Sequence, residues 1–125
     1  GNVHIPKSLW AKMIISPQVK IKADLILRAN FLVKDYDYMC KNPNLIYPLL
    51  NGLKKRLSKN LIENWKELIL KKNWIELTQS FLENHYDPSY SSNTIKNDRK
   101  IINLIKVKSL SHLEIRKIAK TILKL

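Results

Sequence analysis

The chain has 125 residues, 45% of them hydrophobic, with two glycines and one cysteine. That is enough for one compact domain with its own core, and it excludes a disulfide scaffold, a Gly-rich phosphate loop and a loop-rich all-β fold. Lys and Arg number 23 against 10 Asp and Glu, a net charge of +13; such an excess concentrates polyanions, of which nucleic acid is the commonest in a cytosol.

Pro6 suits the first turn of a short helix with Leu9, Trp10 and Met13 on one side. Ser16-Pro17 stops it, because the residue before proline avoids helical angles. Val19 to Ala23 alternates apolar and polar, the pattern of a short strand. Asp24 is placed to cap a helix whose stripe is Leu25, Ala29, Leu32 and Tyr36. Asp37 to Asn44 has no period and reads as a connection. Pro48 opens a helix with Leu49, Leu50, Leu53 and Leu57 inward and Lys54, Lys55 and Arg56 outward, Gly52 weakening it.

Leu61, Trp65 and Leu68 mark the next helix, which ends at Lys71-Lys72. Asn73 and Glu76 have capping-box spacing and start a helix with Trp74, Leu77 and Phe81 inward, closed by Asp87-Pro88. Ile101 to Val107 is a β-branched run that reads as a buried strand. In the last helix Ser111 and Glu114 form a capping box, Leu110 staples to Ile115, and Ile118 and Ile122 continue the inner face. The expected class is mostly α with two short strands. Two strands so far apart cannot make a stable sheet alone, as in the tail of a larger α/β domain.

Catalytic chemistry has little to stand on. His4, His85 and His112 are dispersed and Cys40 has no partner at metal-ligand spacing, so neither a metal site nor a catalytic residue is assigned. Cys40 beside Met39 reads as an inert thiol. No apolar run approaches the ~20 residues of a membrane span and no signal-peptide core is seen, so the expectation is a soluble, cytoplasmic protein with no membrane partner. The informative segment is His85-Tyr86-Asp87-Pro88-Ser89-Tyr90. Asp87 and Pro88 are expected to fix a turn, displaying rings that can stack on unpaired bases, with Lys96, Arg99 and Lys100 near in sequence for phosphates. A helix stop with packed tyrosines is the plain structural alternative. Lys54, Lys55, Arg56 and Lys59 form a second RNA-contact candidate, or a merely solvated face. Arg28 is a third.

These residues resemble the C-terminal portion of the tRNA 2-selenouridine synthase family, which also handles geranyl-2-thiouridine. Gly1-Asn2-Val3-His4-Ile5-Pro6 with Leu9, Met13, Ser16 and Pro17 resembles the family's G-x-V-x-L-P…L…M…(A/S)-P segment. Val19-Lys20-Ile21 resembles the strand after it, and Arg28 with Asp35-Tyr36 resembles R…(D/E)-Y. Gly52-Leu53 with Lys55-Arg56-Leu57 resembles G-L…(K/R)-R-L, and His85 to Tyr90 resembles (H/Y)-Y-D-P-x-Y. The chain departs from the pattern at Lys22-Ala23-Asp24, where the family is acidic with a proline, and the connection from Asp37 to Tyr47 is short.

The resemblance implies a transferase with a rhodanese-like domain and then a P-loop-containing domain. It converts wobble 2-thiouridine to 2-selenouridine through a geranylated intermediate. Its catalytic cysteine and phosphate loop would lie upstream of Gly1, leaving this chain inactive alone and without a cofactor; selenophosphate and geranyl diphosphate would be substrates of the whole enzyme. Residues 1–40 would end the P-loop-type domain, 41–98 would be an appended helical region, and 99–125 a returning strand and final helix, together one compact unit. Arg28 would be a phosphate contact, and tRNA and the upstream segments the partners. The competing readings are a stand-alone, non-catalytic basic helical RNA-binding module and a helical interaction protein whose charge serves solubility.

Overall fold

A computed structural model of the chain describes residues 4–93 and 100–125. It is mostly helical with two short strands, β1 (Gln18–Ala23) and β2 (Ile101–Val107), paired in parallel. The chain divides into two compact units: Gly1–Ala23 with Thr94–Leu125, and Asp24–Asn93.

The first unit contains α1 (Lys7–Ile15), both strands and α8 (His112–Leu123). Ser16 closes α1 with extended backbone ahead of Pro17. In α1 Leu9, Trp10 and Met13 stay 51%, 41% and 37% exposed, so its apolar side is uncovered. Ser111 caps α8, its hydroxyl accepting from the Glu114 amide at 3.3 Å; Ile118 is buried while Ile115 remains nearly half exposed. Val107 and Ile118 are the buried hydrophobics among this unit's described residues.

The second unit holds α2 (Leu25–Asp35), α3 (Asp37–Lys41), α4 (Tyr47–Leu53), α5 (Lys59–Leu70), α6 (Trp74–Phe81) and α7 (Asp87–Asn93). Its core joins Leu50, Ile62, Trp65, Leu68, Ile69 and Leu77, with Phe81, Trp74 and Leu53 packed around it. Trp65 is fully buried, and its indole N–H donates to Ser80 Oγ at 2.8 Å, so the ring adds apolar area without an orphan donor. Ser58 caps α5, accepting from the Leu61 amide. At its other end Lys72 takes a positive φ of 54°, and the Asn73 and Lys72 amides bond back to Leu68 and Ile69. That is the Schellman pattern, formed here without glycine. Asn73 caps α6 through the Glu76 amide at 3.4 Å, and its own amide group donates to the Glu76 carboxylate at 2.6 Å.

Four expectations are corrected. Asp37 to Asn44 is not irregular: α3 forms there, helped by the Lys41–Asp37 pair one turn apart, with a 3₁₀ turn next at Pro43–Leu45. Leu49 faces outward, 57% exposed, because burial of Leu50 fixes the phase of a seven-residue helix. Lys54, Lys55 and Arg56 are not on a helix face. The helix ends at Leu53 because Ser58 must be extended to cap α5, which leaves these residues in the intervening turn.

Fourth, Asp87-Pro88 does not end a helix. Leu82–Tyr86 widens into a π-turn in which the Asp87 amide bonds to Leu82 O, and α7 continues from Asp87. Pro88 becomes the second residue of α7, where its missing N–H is not required.

Trp65→Ala should cost about 3–5 kcal/mol of stability in urea denaturation, the range for deleting a buried large ring. Gly52→Ala should do the reverse. A methyl added at Gly52 meets nothing within 4 Å, so the helix propensity gain of up to about 1 kcal/mol should appear intact as a higher urea midpoint.

Candidate nucleic-acid interface

Two candidate surfaces lie in the helical unit, and each is built by local backbone grammar. The first is the π-turn and the start of α7. α2 packs against α6, and the fully buried Ala29 presents only a methyl group. Arg28, beside it, reaches Asp87, 59 residues further along. The pair is bidentate, Nη1 to Oδ2 at 3.0 Å and Nη2 to Oδ1 at 2.6 Å, the strong fork-to-fork arrangement. One extra residue in the π-turn rotates the downstream helix by about 100° relative to a plain α-helix.

The Arg28 guanidinium hydrogen bond holds the Asp87 carboxyl below its ordinary range against a smaller opposing effect of burial, and Asp87 raises Arg28 in return. Arg28 is 28% and Asp87 43% exposed at the side chain, so water screens the pair.

Tyr86 and Tyr90 lie one turn apart, rings 4.8 Å between centroids and inclined 33°. They are 43% and 63% exposed. A side-chain hydrogen bond with Tyr90 pushes the Tyr86 phenol above its usual value, and the charges of Arg28 and Asp87 act on the same group. His85 belongs to a different contact. It is half-buried, its ring 5.1 Å from Phe81, which in turn lies 5.7 Å from Trp65. This aromatic chain ties the π-turn to the core.

The second surface is the turn Lys54-Lys55-Arg56 and Lys59, the first residue of α5, all exposed. No acid occupies the first turn of α5, so lysine charge adds to the positive end of the helix dipole, an arrangement that is costly until an anion arrives. Glu63 tempers it: Lys66, bonded at 2.8 Å, holds that carboxyl below its normal range, and Lys59 and Lys54 contribute.

The structure thus brings Arg28, Tyr86, Asp87 and Tyr90 together and places His85 on Phe81. Pro88 is exposed at the start of α7. Lys100 is exposed just before β2, in the other unit. Lys96 and Arg99 lie outside the described residues. Sequence reasoning missed the Arg28–Asp87 pair, although both residues lie in segments singled out as candidates; their opposite charges were the available signal. Cys40 is half-buried, and burial with the nearby Asp37 charge pushes its thiol up, away from the reactive thiolate. Among the described residues no His, Cys, Asp and Glu group could hold a metal ion, and no helix is long and apolar enough to cross a membrane. No protein-family model, curated protein or solved structure matches the chain.

The pH dependence of the ion pair is set by its sign. A carboxyl depressed in the folded state stabilises above its unfolded value near ~3.9 and loses that contribution as pH falls through the lower folded value. Asp87→Asn and Arg28→Gln should each cost about 1 kcal/mol at pH 6. Their stability deficit against the wild type should shrink as pH drops from about 4 towards 2. Urea midpoints across that interval measure this; parallel profiles for variant and wild type would contradict it.

Proposed function

We propose that the chain is the RNA-binding C-terminal part of a tRNA-modifying transferase of the 2-selenouridine synthase type. In this reading its substrate contact is wobble-uridine tRNA, and the catalytic cysteine and phosphate loop belong to upstream rhodanese-like and P-loop segments of the same enzyme. The tyrosine pair of the π-turn carries the proposal. A bulged helix pinned by a bidentate ion pair and by the Trp65–Phe81–His85 chain exposes two rings where a helix stop would leave a loop. Exposed aromatic faces beside cationic groups suit unpaired bases and their phosphates. π-turns also concentrate at functional positions.

Three further observations support it. Segments that resemble the family's motifs follow one another in order along most of the chain. The net charge is strongly positive. The parallel strand pair leaves Ile21 exposed on the face it shares with Ile105 and Val107, whereas the aliphatic face of a parallel sheet is ordinarily covered; further α/β structure from the parent enzyme would supply cover on that face. Arg28 serves mainly to position Asp87 and the π-turn, since its fork is engaged and a phosphate would have to compete for it. A stand-alone RNA-binding module shares the same surfaces. The two readings part on whether a rhodanese cysteine and a G-x-x-x-x-G-K-[ST] motif precede Gly1 in the same polypeptide.

Tyr86→Ala or Tyr90→Ala should weaken tRNA binding by about 1–3 kcal/mol per stacked base, and Tyr→Phe should retain most of it. Affinity by fluorescence anisotropy is to be paired with thermal melts. Lost affinity with an unchanged melting temperature supports the site; lost stability with normal affinity returns the rings to a packing role.

A further inference from the structure

The positive charge is divided very unequally between the two units. Gly1–Ala23 with Thr94–Leu125 contains thirteen Lys and Arg against two acids, net +11; Asp24–Asn93 contains ten against eight, net +2. The basic cluster most visible in the sequence, Lys54 to Arg56, therefore lies in the nearly balanced unit. Long-range attraction for a polyanion must come chiefly from the strand unit.

Strand register concentrates that charge on one face. Parallel partners project to the same side of a sheet and alternate along each strand. Lys20 is registered with Leu104 and Lys22 with Lys106. All four are exposed, and so is Ile102, the extra residue where the register shifts between Gln18 and Val19. The other face presents Val19, Ile21 and Ala23 with Asn103, Ile105 and the buried Val107. So one face is cationic and the other largely aliphatic. Neither strand sequence contains an acid. In the same unit α8 carries Arg116 and Lys120 one turn apart, with Lys124 at its C-cap, all exposed.

We infer that the sheet face formed by Lys20, Lys22 and Lys106, with Leu104 among them, grips the phosphate backbone of RNA and supplies more of the ionic attraction than the Lys54–Arg56 turn does. The inference rests on the RNA-binding reading. Neighbouring strands lie about 4.7–4.9 Å apart, so Lys22 and Lys106 bring two positive charges to bear on the same phosphate. Lys20 lies one pleat repeat away, roughly 7 Å, within reach of the next phosphate along an extended strand. Leu104, registered with Lys20 and exposed, offers apolar contact to riboses, which a uniformly charged face would not.

The test compares two triple variants of the full chain, Lys20→Gln/Lys22→Gln/Lys106→Gln and Lys54→Gln/Lys55→Gln/Arg56→Gln, binding a single-stranded oligouridylate across a salt series. The sheet variant should lose at least about tenfold in affinity at low salt, and its slope of log K against log salt should become shallower by about 1.4, the value for two lost phosphate contacts on a single strand. The turn variant should lose less on both counts. A third variant, Lys20→Arg/Lys22→Arg/Lys106→Arg, should bind like the wild type, which separates charge from strand folding. An unchanged sheet variant, a larger loss in the turn variant, or equal losses for Gln and Arg would overturn the inference while leaving RNA binding standing. Sheet-dependent binding to phosphatidylserine vesicles with none to RNA would assign the face to a membrane surface and overturn it as well. Failure of the wild type to bind RNA at low salt would bring down the RNA-binding reading first, and the inference with it.

Discussion

The parallel pairing of β1 with β2 is the constraint on which the rest of the chain depends. Parallel neighbours cannot be joined by a tight turn and need a long crossover. Here the crossover contains the whole helical unit, so strands near the two ends of the chain become registered partners from Gln18↔Ile101 to Ala23↔Val107. Closing so long a connection costs chain entropy, although that cost grows only slowly with length. Against it the strand unit buries little: Val107 and Ile118 are its buried hydrophobics among the described residues. Lysines on one sheet face and uncovered aliphatics on both make this unit a poor free-standing fold and a suitable contact surface, which is how its charge and its exposed apolar groups fit one account.

The helical unit is organised differently. Its stability comes from local grammar closed over Trp65: the Ser58 and Asn73 caps, the Schellman turn at Lys72 and the Trp65–Ser80 hydrogen bond hold α5 against α6. The Phe81 and His85 rings carry that rigidity outward to the π-turn, and Arg28 fixes its far side through Asp87. The exposed tyrosines are thus mounted on a braced element, which is what a stacking surface needs if binding is not to spend its energy on ordering side chains.

Where signals were local, the sequence was legible. Ser111 with Glu114, Asn73 with Glu76, and the stop at Ser16-Pro17 each place an element boundary as the structure has it. The two strands were readable from alternation and β-branching. What escaped depended on partners distant in sequence or on competing local rules. Pro88 ordinarily stops a helix, but one extra residue in the preceding turn removed the need for its N–H. Ser58 claimed extended backbone for capping and so shortened α4, moving Lys54 to Arg56 off the helix. The Arg28–Asp87 pair and the Lys22–Lys106 register join residues far apart along the chain, where no spacing rule applies. The charge division, by contrast, needed only the unit boundaries to become visible.

The claim common to every part of this account is that the chain holds RNA through its excess positive charge. Its most direct test is the salt dependence of wild-type binding to tRNA. The account predicts a linear fall of log K with log salt, with a slope steeper than about −2, since each neutralised phosphate contributes about −0.7 to −0.9. Absence of binding at low salt, or an affinity indifferent to salt, would contradict it.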